Sequence, residues 1–522
     1  MQARRVYGTV ICVTFAIALL VYLFSLDSDV GFWDTAEMNT VPYILGLAHP
    51  TGFPTEILVG WLFAHGFSFG EVAFRFSLLN AIEVAGAACL ASAFVLYETG
   101  DALFGLLAGF GFATSFVVWQ HANHTDVMSM TVLLVSAVFV SVRRWWRSDD
   151  ARLLLAAALI GGAALGTHGA AALYLIAPAI VVLVRVLRRR DLRKQSALAA
   201  LVFIACAAAL YAYLPLRSSY VISHRLDPTL ALGMPPGRPF WDWGDPRSWS
   251  GFRDVVVGSQ VSATRAFSAY VRPHDLARSV AYTGGMLKGA LGGLMLGVLS
   301  ALCIAVCVYD LPLALYLLAP AIIVTPFVLR YVAESDPVRY YIFPVWGLWV
   351  AASIGVAVII RRIGVARRWL VLVVTGLVAL VMIFQLHAGR SLFVERRDRL
   401  GYNYIVAVLH NTRDGAVIIA PWTYATPIAY AAYVQRGLGS RVLMPGEADE
   451  LALKVSGWRL QRPVFAVSEH QPSSKLFEAR YVCNFNVIPK AKNDPKLYWI
   501  LPPPSGHLSG RLQETFNICR GR

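Results

Sequence analysis

The sequence predicts an all-α polytopic membrane bundle of about eleven transmembrane helices with a C-terminal α/β domain, and three observations carry that prediction. Of 522 residues, 57% are apolar and only 15% charged, with a mean hydropathy of +0.58, which excludes an ordinary soluble domain. Apolar runs long enough to cross about 30 Å of hydrocarbon, about 20 residues each, recur up to residue 387. The net charge of +15 collects beside those runs, where helix orientation needs it, so it argues for a lipid bilayer and against a nucleic-acid partner.

The runs fall near 7–26, 74–96, 102–120, 127–143, 152–167, 170–187, 196–215, 281–307, 311–331, 340–360 and 369–387. With the N-terminus in the cytoplasm, Arg4 and Arg5, the RRWWR run at 143–147, RVLRRRDLRK at 185–194, and Arg361, Arg362, Arg367 and Arg368 all fall inside, as the positive-inside rule requires. The odd number of spans then sends the first loop (27–73), the long 216–280 loop and residues 388–522 to the non-cytoplasmic face. SLDSDV after the first run has no small-x-small cleavage site, so that run reads as an anchor. An Ala- and Arg-rich composition suits a bacterial plasma membrane. Gly285, Gly289, Gly293 and Gly297 recur every four residues, which predicts a helix face open to close approach by a neighbour.

Residues 388–522 differ in kind from the transmembrane domain over 1–387. Short apolar runs, GAVIIA (415–420), RVLMP (441–445) and PVFAVSE (463–469), alternate with helix-like TPIAYAAYVQRG and ADELALKVSGWRL, the pattern of a small α/β domain. It has no glycine-rich phosphate loop and so no nucleotide site. Five of the seven cysteines lie in the spans; Cys483 and Cys519 lie in the tail and would pair if it faces an oxidising compartment.

Polar groups suited to chemistry gather at the outer helix ends. The loop DSDVGFWDTAEMNTVPYILGLAHPTGFP (27–54) is acidic, lacks Lys and Arg, and supplies Asp34, Glu37 and His49. VWQHANHTDVM supplies His121, His124 and Asp126, and the next outer turn supplies His168. Arg217 closes the seventh span in YLPLR, Arg339 opens the tenth in DPVRYYIFP, and Lys288 lies near the outer end of the eighth. A rim of acids and cations at the bilayer surface suits an enzyme that handles a phosphate attached to a lipid, although any one such charge is ordinarily a solvated helix end. Asp27 and Asp29 are read as such solvated charges. In the turn, Pro50 and Pro54 fix φ and Gly52 permits the bend; the following TEILVGWLFAHGF is too short to span and is expected in the interface. Trp243, in WDWGDPRSW (241–249), reads equally as an interfacial anchor or as the lining of a sugar or acceptor groove.

WDTAEMNTVPYILGLAHPTGFP resembles the GDSGELxxAAYxLGxAHPPGYP signature of the protein O-mannosyltransferase-like membrane family of GT-C glycosyltransferases. VWQHANHTDVM resembles its FWSQAxxAEVY, GAALGTHGAA its GLALGNHHT, and YAYLPLRSS with FWDWGDPRSWSGF its YLYLPIRA and NWGDPSTWEGF. These segments keep the family's order and reach to about residue 260. The resemblance implies a GT-C bundle, a catalytic carboxylate in the first external loop, and transfer of a sugar from a polyprenyl-phosphate carrier to a protein or glycan hydroxyl. Asp34 falls on the family's Asp, Glu37 on its Glu, and Asp126 on the acid of the second motif. Trp33, Ala36, Thr51 and Met128 depart from the pattern, which bears on substrate preference.

The chemistry expected is an inverting displacement with Asp34 as general base. Arg339 and Arg217, then Lys288 and His168, would stabilise the leaving phosphate, Arg having the bidentate reach a point charge lacks. Glu37 would orient the acceptor, tune the base, or simply cap its helix. His49, Asp126 and Trp243 complete the substrate-binding set. Asp34, Asp126, His121 and His124 are of the types that could hold Mg²⁺ or Mn²⁺ between phosphate and protein, but no short motif has metal-ligand spacing, so a divalent metal is possible without being required and no other cofactor is expected. A carrier or flippase of lipid-linked precursors is the alternative, weakened by the lack of evident inverted repeats and by the large external tail.

Overall fold

The computed structural model describes residues 2–258, 276–330, 336–364, 366–395, 399–485 and 494–502. It is a helical bundle with a small C-terminal sheet. Helix α1 (Gln2–Ser25) leads into a first loop built from α2 (Trp33–Ile44) and α3 (Pro54–Gly66), and α4 (Val72–Thr99) returns through the bundle. α4 packs against α1, Ala102–Thr114 and Ser129–Ser148, while Ile342–Ile363 runs through the centre against Gly293–Tyr309 and Leu311–Arg330. The close approaches there depend on glycine. A Cβ on Gly347 would lie 2.2 Å from the Leu317 carbonyl oxygen, one on Gly355 2.1 Å from that of Leu302, and one on Gly111 2.3 Å from the Trp349 ring.

Seven helices among the described residues are long and apolar enough to cross a membrane, or nine if each of two bent pairs counts as one span. The expected count of eleven is not confirmed. The 127–143 run lies on Ser129–Ser148, where only the 14 residues 129–142 precede the first arginine of RRWWR, and the 152–167 run lies on a helix of 15 residues, about 22 Å long against about 30 Å of hydrocarbon. The glycine stripe is corrected. Gly292 takes φ +80° and breaks the segment into Ala281–Leu291 and Gly293–Tyr309 at 116°, so the four glycines do not share one helix face. Space opens beside Gly285 and Gly297 instead of a neighbour's backbone.

In the C-terminal region, strands β1 (Val417–Ala420), β2 (Val442–Pro445), β3 (Val464–Ser468), β4 (Ala479–Asn484) and β5 (Lys496–Ile500) form one sheet in the order β2-β1-β3-β5-β4. The first three are parallel and the last two join antiparallel. The helix Trp422–Ala429, which leaves the end of β1, packs on α2, so the sheet region reaches the first loop. Asp29 fastens the same junction and is not a solvated charge. It is buried and accepts the backbone N–H groups of Gly401 at 2.7 Å and Tyr402 at 3.1 Å, satisfying free donors at the start of the helix Leu400–Asn411. Cys519 lies outside the described residues, and with it the expected pairing to Cys483.

Candidate active site

α2 begins where extended Phe32 (φ −134°) hands over to Trp33, which puts Asp34 in the first turn, where free N–H groups and the helix dipole favour an anion. Glu37 follows one turn later and is fully buried. The helix ends at Leu45 in the left-handed region (φ 51°). Gly46 follows with the Phe240 carbonyl oxygen 1.9 Å from where a Cβ would stand, a closeness only glycine allows. The chain then folds back through His49. Its backbone N–H donates to Glu37 Oε1 at 3.0 Å, and its ring Nδ1 lies 2.5 Å from Glu37 Oε2. His49 Nε2 lies 3.7 Å from Asp34 Oδ1, and Arg339 Nη1 donates to Asp34 Oδ2 at 2.6 Å. The result is one line of alternating charge: Glu37, His49, Asp34, Arg339.

The charges sustain one another. Burial alone would raise the Asp34 pKa, but the Arg339 cation and then His49 outweigh it and hold the carboxyl below its ordinary value. Burial would lower His49, but Glu37 and then Asp34 outweigh it and the imidazole is raised toward its protonated form. His168 is opposite in kind. Burial, with Arg339 and His49 close by, pushes it down to about 3, and its Nδ1 accepts the Ala170 N–H at 3.0 Å, so it is neutral with its proton on Nε2. Its ring packs between Phe53 and Tyr340, with centroids 5.6 and 5.7 Å away.

A second group adjoins the first through Arg339. Asp126 Oδ2 lies 2.9 Å from His121 Nδ1, its Oδ1 accepts the Met128 N–H at 2.7 Å, and Asp336 Oδ2 lies 3.4 Å from the far nitrogen of His121. Asn80 pins this turn by donating to the carbonyls of His121 and His124. Burial would raise Asp126, but His121 outweighs it, with Arg339 adding to the lowering; burial and His121 push His124 down to about 4. Asp34, Glu37 and His49 form one set of donors within 4.8 Å, and His121, His124 and Asp126 another. In the first set Asp34 already accepts from the Arg339 guanidinium.

Arg217 and Lys288 stand apart from this line. Arg217 donates from Nε to the Leu45 carbonyl at 2.5 Å and from Nη2 to that of Ile44 at 3.1 Å, and lies over Tyr220; it holds the end of α2 and does not reach Asp34. Arg217→Met is therefore expected to cost about 1–3 kcal/mol through unpaired carbonyls. A detergent-solubilised variant should unfold at lower temperature, and an unshifted midpoint would show that this anchor is dispensable. Lys288 is exposed, on the helix that packs against the 3-10 turn Pro337–Tyr341 bearing Arg339. Trp243 sits with its ring 6.1 Å from His49.

The sequence reading misses Asp336, Trp422, Glu56 and Glu83. Trp422 stands two residues beyond the end of β1, and the carboxyl ends of parallel strands commonly carry sites, a signal that was there to read. Glu83 interrupts an apolar span, which by itself marks a functional or structural constraint. Glu56 and Glu83 are both buried, and Glu56 Oε2 and both Glu83 carboxyl oxygens lack a hydrogen-bond partner among the described residues. Burial, with Asp126 adding, pushes Glu56 up from 4.5 to about 8. Between those values the folded state holds a proton that the unfolded state releases, so stability falls as pH rises from about 4.5 to about 8 and levels above. Glu56→Gln should flatten that slope in thermal unfolding; an equally steep slope would show that another group carries it.

The bundle sets Asp34 of the first loop against Arg339, in the turn that leads into Ile342–Ile363. Crystal structures of ArnT from Cupriavidus metallidurans, bound to undecaprenyl phosphate and in the apo state, share the fold. They match with TM-scores of 0.53 and 0.52 over 94% of this chain and 97% of theirs, at 13% and 14% identity.

Residues 34–193 match the family described as Protein O-mannosyl-transferase TMEM260 N-terminal domain. The mouse Protein O-mannosyl-transferase TMEM260 is 28% identical over 242 residues, 46% of this chain and 32% of that protein. The Dictyostelium discoideum protein of the same description is 24% identical over 133 residues, 25% of this chain and 16% of that one. The chain thus spans about a third or less of the length of these curated relatives. The sequence matches make residues 34–193 and their surroundings similar to that O-mannosyltransferase family, and the structural matches show a shared fold.

Proposed function

We propose that this multi-pass membrane protein transfers a hexose, mannose in the first instance, from a polyprenyl-phosphate carrier to a protein or glycan hydroxyl, with inversion at the anomeric carbon. The observation that carries the reading is the Asp34–Arg339 pair at 2.6 Å, a proton acceptor and a phosphate-type cation side by side in a poorly hydrated site. The acceptor oxygen attacks the anomeric carbon while its proton passes to Asp34. The bond from that carbon to the phosphate oxygen breaks, and polyprenyl phosphate leaves as an anion against Arg339. A donor phosphate competes with Asp34 for the Arg339 donors. Binding of the donor therefore relieves the group that depresses Asp34, making it a stronger base when it is needed.

Glu37 holds His49 charged, and His49 orients Asp34. The reaction needs no divalent ion in this reading, because Arg339 supplies the positive charge. Positive-inside counting over the eleven expected runs supports a site and C-terminal region on the outer face, and the Ala- and Arg-rich composition supports a bacterial plasma membrane. The test is the purified full chain in nanodiscs, given radiolabelled polyprenyl-phosphate mannose and a serine- and threonine-bearing acceptor protein. Label should reach the acceptor with or without EDTA. Lipid flipping without transfer would overturn the enzyme reading, and loss of transfer in EDTA would overturn its metal independence.

A further inference from the structure

Trp422 belongs by sequence to the sheet region, yet its ring centroid lies 5.5 Å from that of His49. It meets Trp243 at 6.3 Å and 85°, and Trp243 in turn lies 6.1 Å from His49. Two indoles from segments about 180 residues apart thus make a right-angled corner beside the imidazole that touches Asp34. Both indoles are only partly buried. The Trp422 Nε1 atom is nevertheless shielded and has no hydrogen-bond partner among the described residues. An indole N–H normally finds an acceptor when buried, and leaving one unmet is unfavourable unless a ligand supplies it.

A hexopyranose has what this corner lacks. Its C–H face packs on an aromatic ring and its hydroxyls accept from an indole N–H, which is how a small number of fixed polar groups orient a ligand in an otherwise apolar pocket. We infer that Trp422 and Trp243 form the subsite for the sugar ring of the donor, Trp422 Nε1 donating to a sugar hydroxyl, so that the C-terminal region completes the site. This inference rests on the transferase reading above. It assigns to Trp422 selection of the sugar, separately from the phosphate held at Arg339.

The experiment compares two radiolabelled lipids, polyprenyl-phosphate mannose and the same polyprenyl phosphate without sugar, binding to the full chain in nanodiscs. Trp422→Phe keeps the ring and removes the N–H; it should weaken the sugar-bearing lipid by roughly tenfold, the scale of one hydrogen bond, and leave the bare lipid phosphate unchanged. Trp422→Ala and Trp243→Ala should weaken it further. Equal loss for both lipids would overturn the subsite by showing a merely structural role. So would variants indistinguishable from wild type, or a rise confined to the acceptor KM. Wild-type protein that holds neither lipid would instead overturn the transferase reading, and the subsite with it.

Discussion

Asp34→Asn is expected to lower hexose transfer by about 10²–10⁴-fold, the range of a general base, while donor binding stays level or tightens. The second half distinguishes a base from a binding residue. Asp34 occupies an Arg339 donor at 2.6 Å, and the neutral amide releases that guanidinium for a phosphate. A single-turnover rate and a donor binding curve on the same preparation check both halves. Transfer at the wild-type rate would remove Asp34 from the reaction, and a matching loss of donor affinity would reassign it to binding.

Arg339→Gln should act on both partners of the chemistry. Transfer falls by roughly 10²–10³-fold, the scale of removing one preorganised charge-stabilising donor, and donor affinity falls with it. The pH profile gives a sharper reading. Arg339 is the chief group that, against burial, holds the Asp34 carboxyl below its ordinary value. Without the cation that pKa rises, so the acid limb of kcat/KM, which reports the free enzyme, should move to higher pH. Arg339→Lys keeps a charge but not the planar fork, and should restore the limb more fully than the rate. An acid limb unmoved in Arg339→Gln would mean that a different group titrates there.

Much of the site was legible because the first loop is short in sequence. Asp34, Glu37 and His49 lie within 16 residues, and a helix turn plus a chain reversal is enough to bring them together. Arg339 was found from charge at a helix end, which hydropathy locates well. Arg217 carried the same signal yet serves the carbonyls of Ile44 and Leu45: position along the membrane normal is readable from sequence, position in the plane is not. The bundle followed from apolar runs, but their exact count did not, because 127–143 and 152–167 lie on helices that are short of apolar length among the described residues. The glycine stripe failed for a local reason, since periodicity assumes an unbroken helix and Gly292 breaks it. Trp422 carried a strand-end signal, but distance along the chain hid its meeting with His49, as the fold of the whole sheet region decides where it arrives.

The tie between Asp29 and the amides of Gly401 and Tyr402 spans 372 and 373 residues, and it sets an order on biosynthesis. The loop bearing Asp34 is made about 300 residues before Arg339 and nearly 400 before Trp422, and until then it stays without its capping partner and without either side chain. Contacts so far apart in sequence close late. A nascent or prematurely ended polypeptide therefore carries the carboxylates of the centre but not the centre itself.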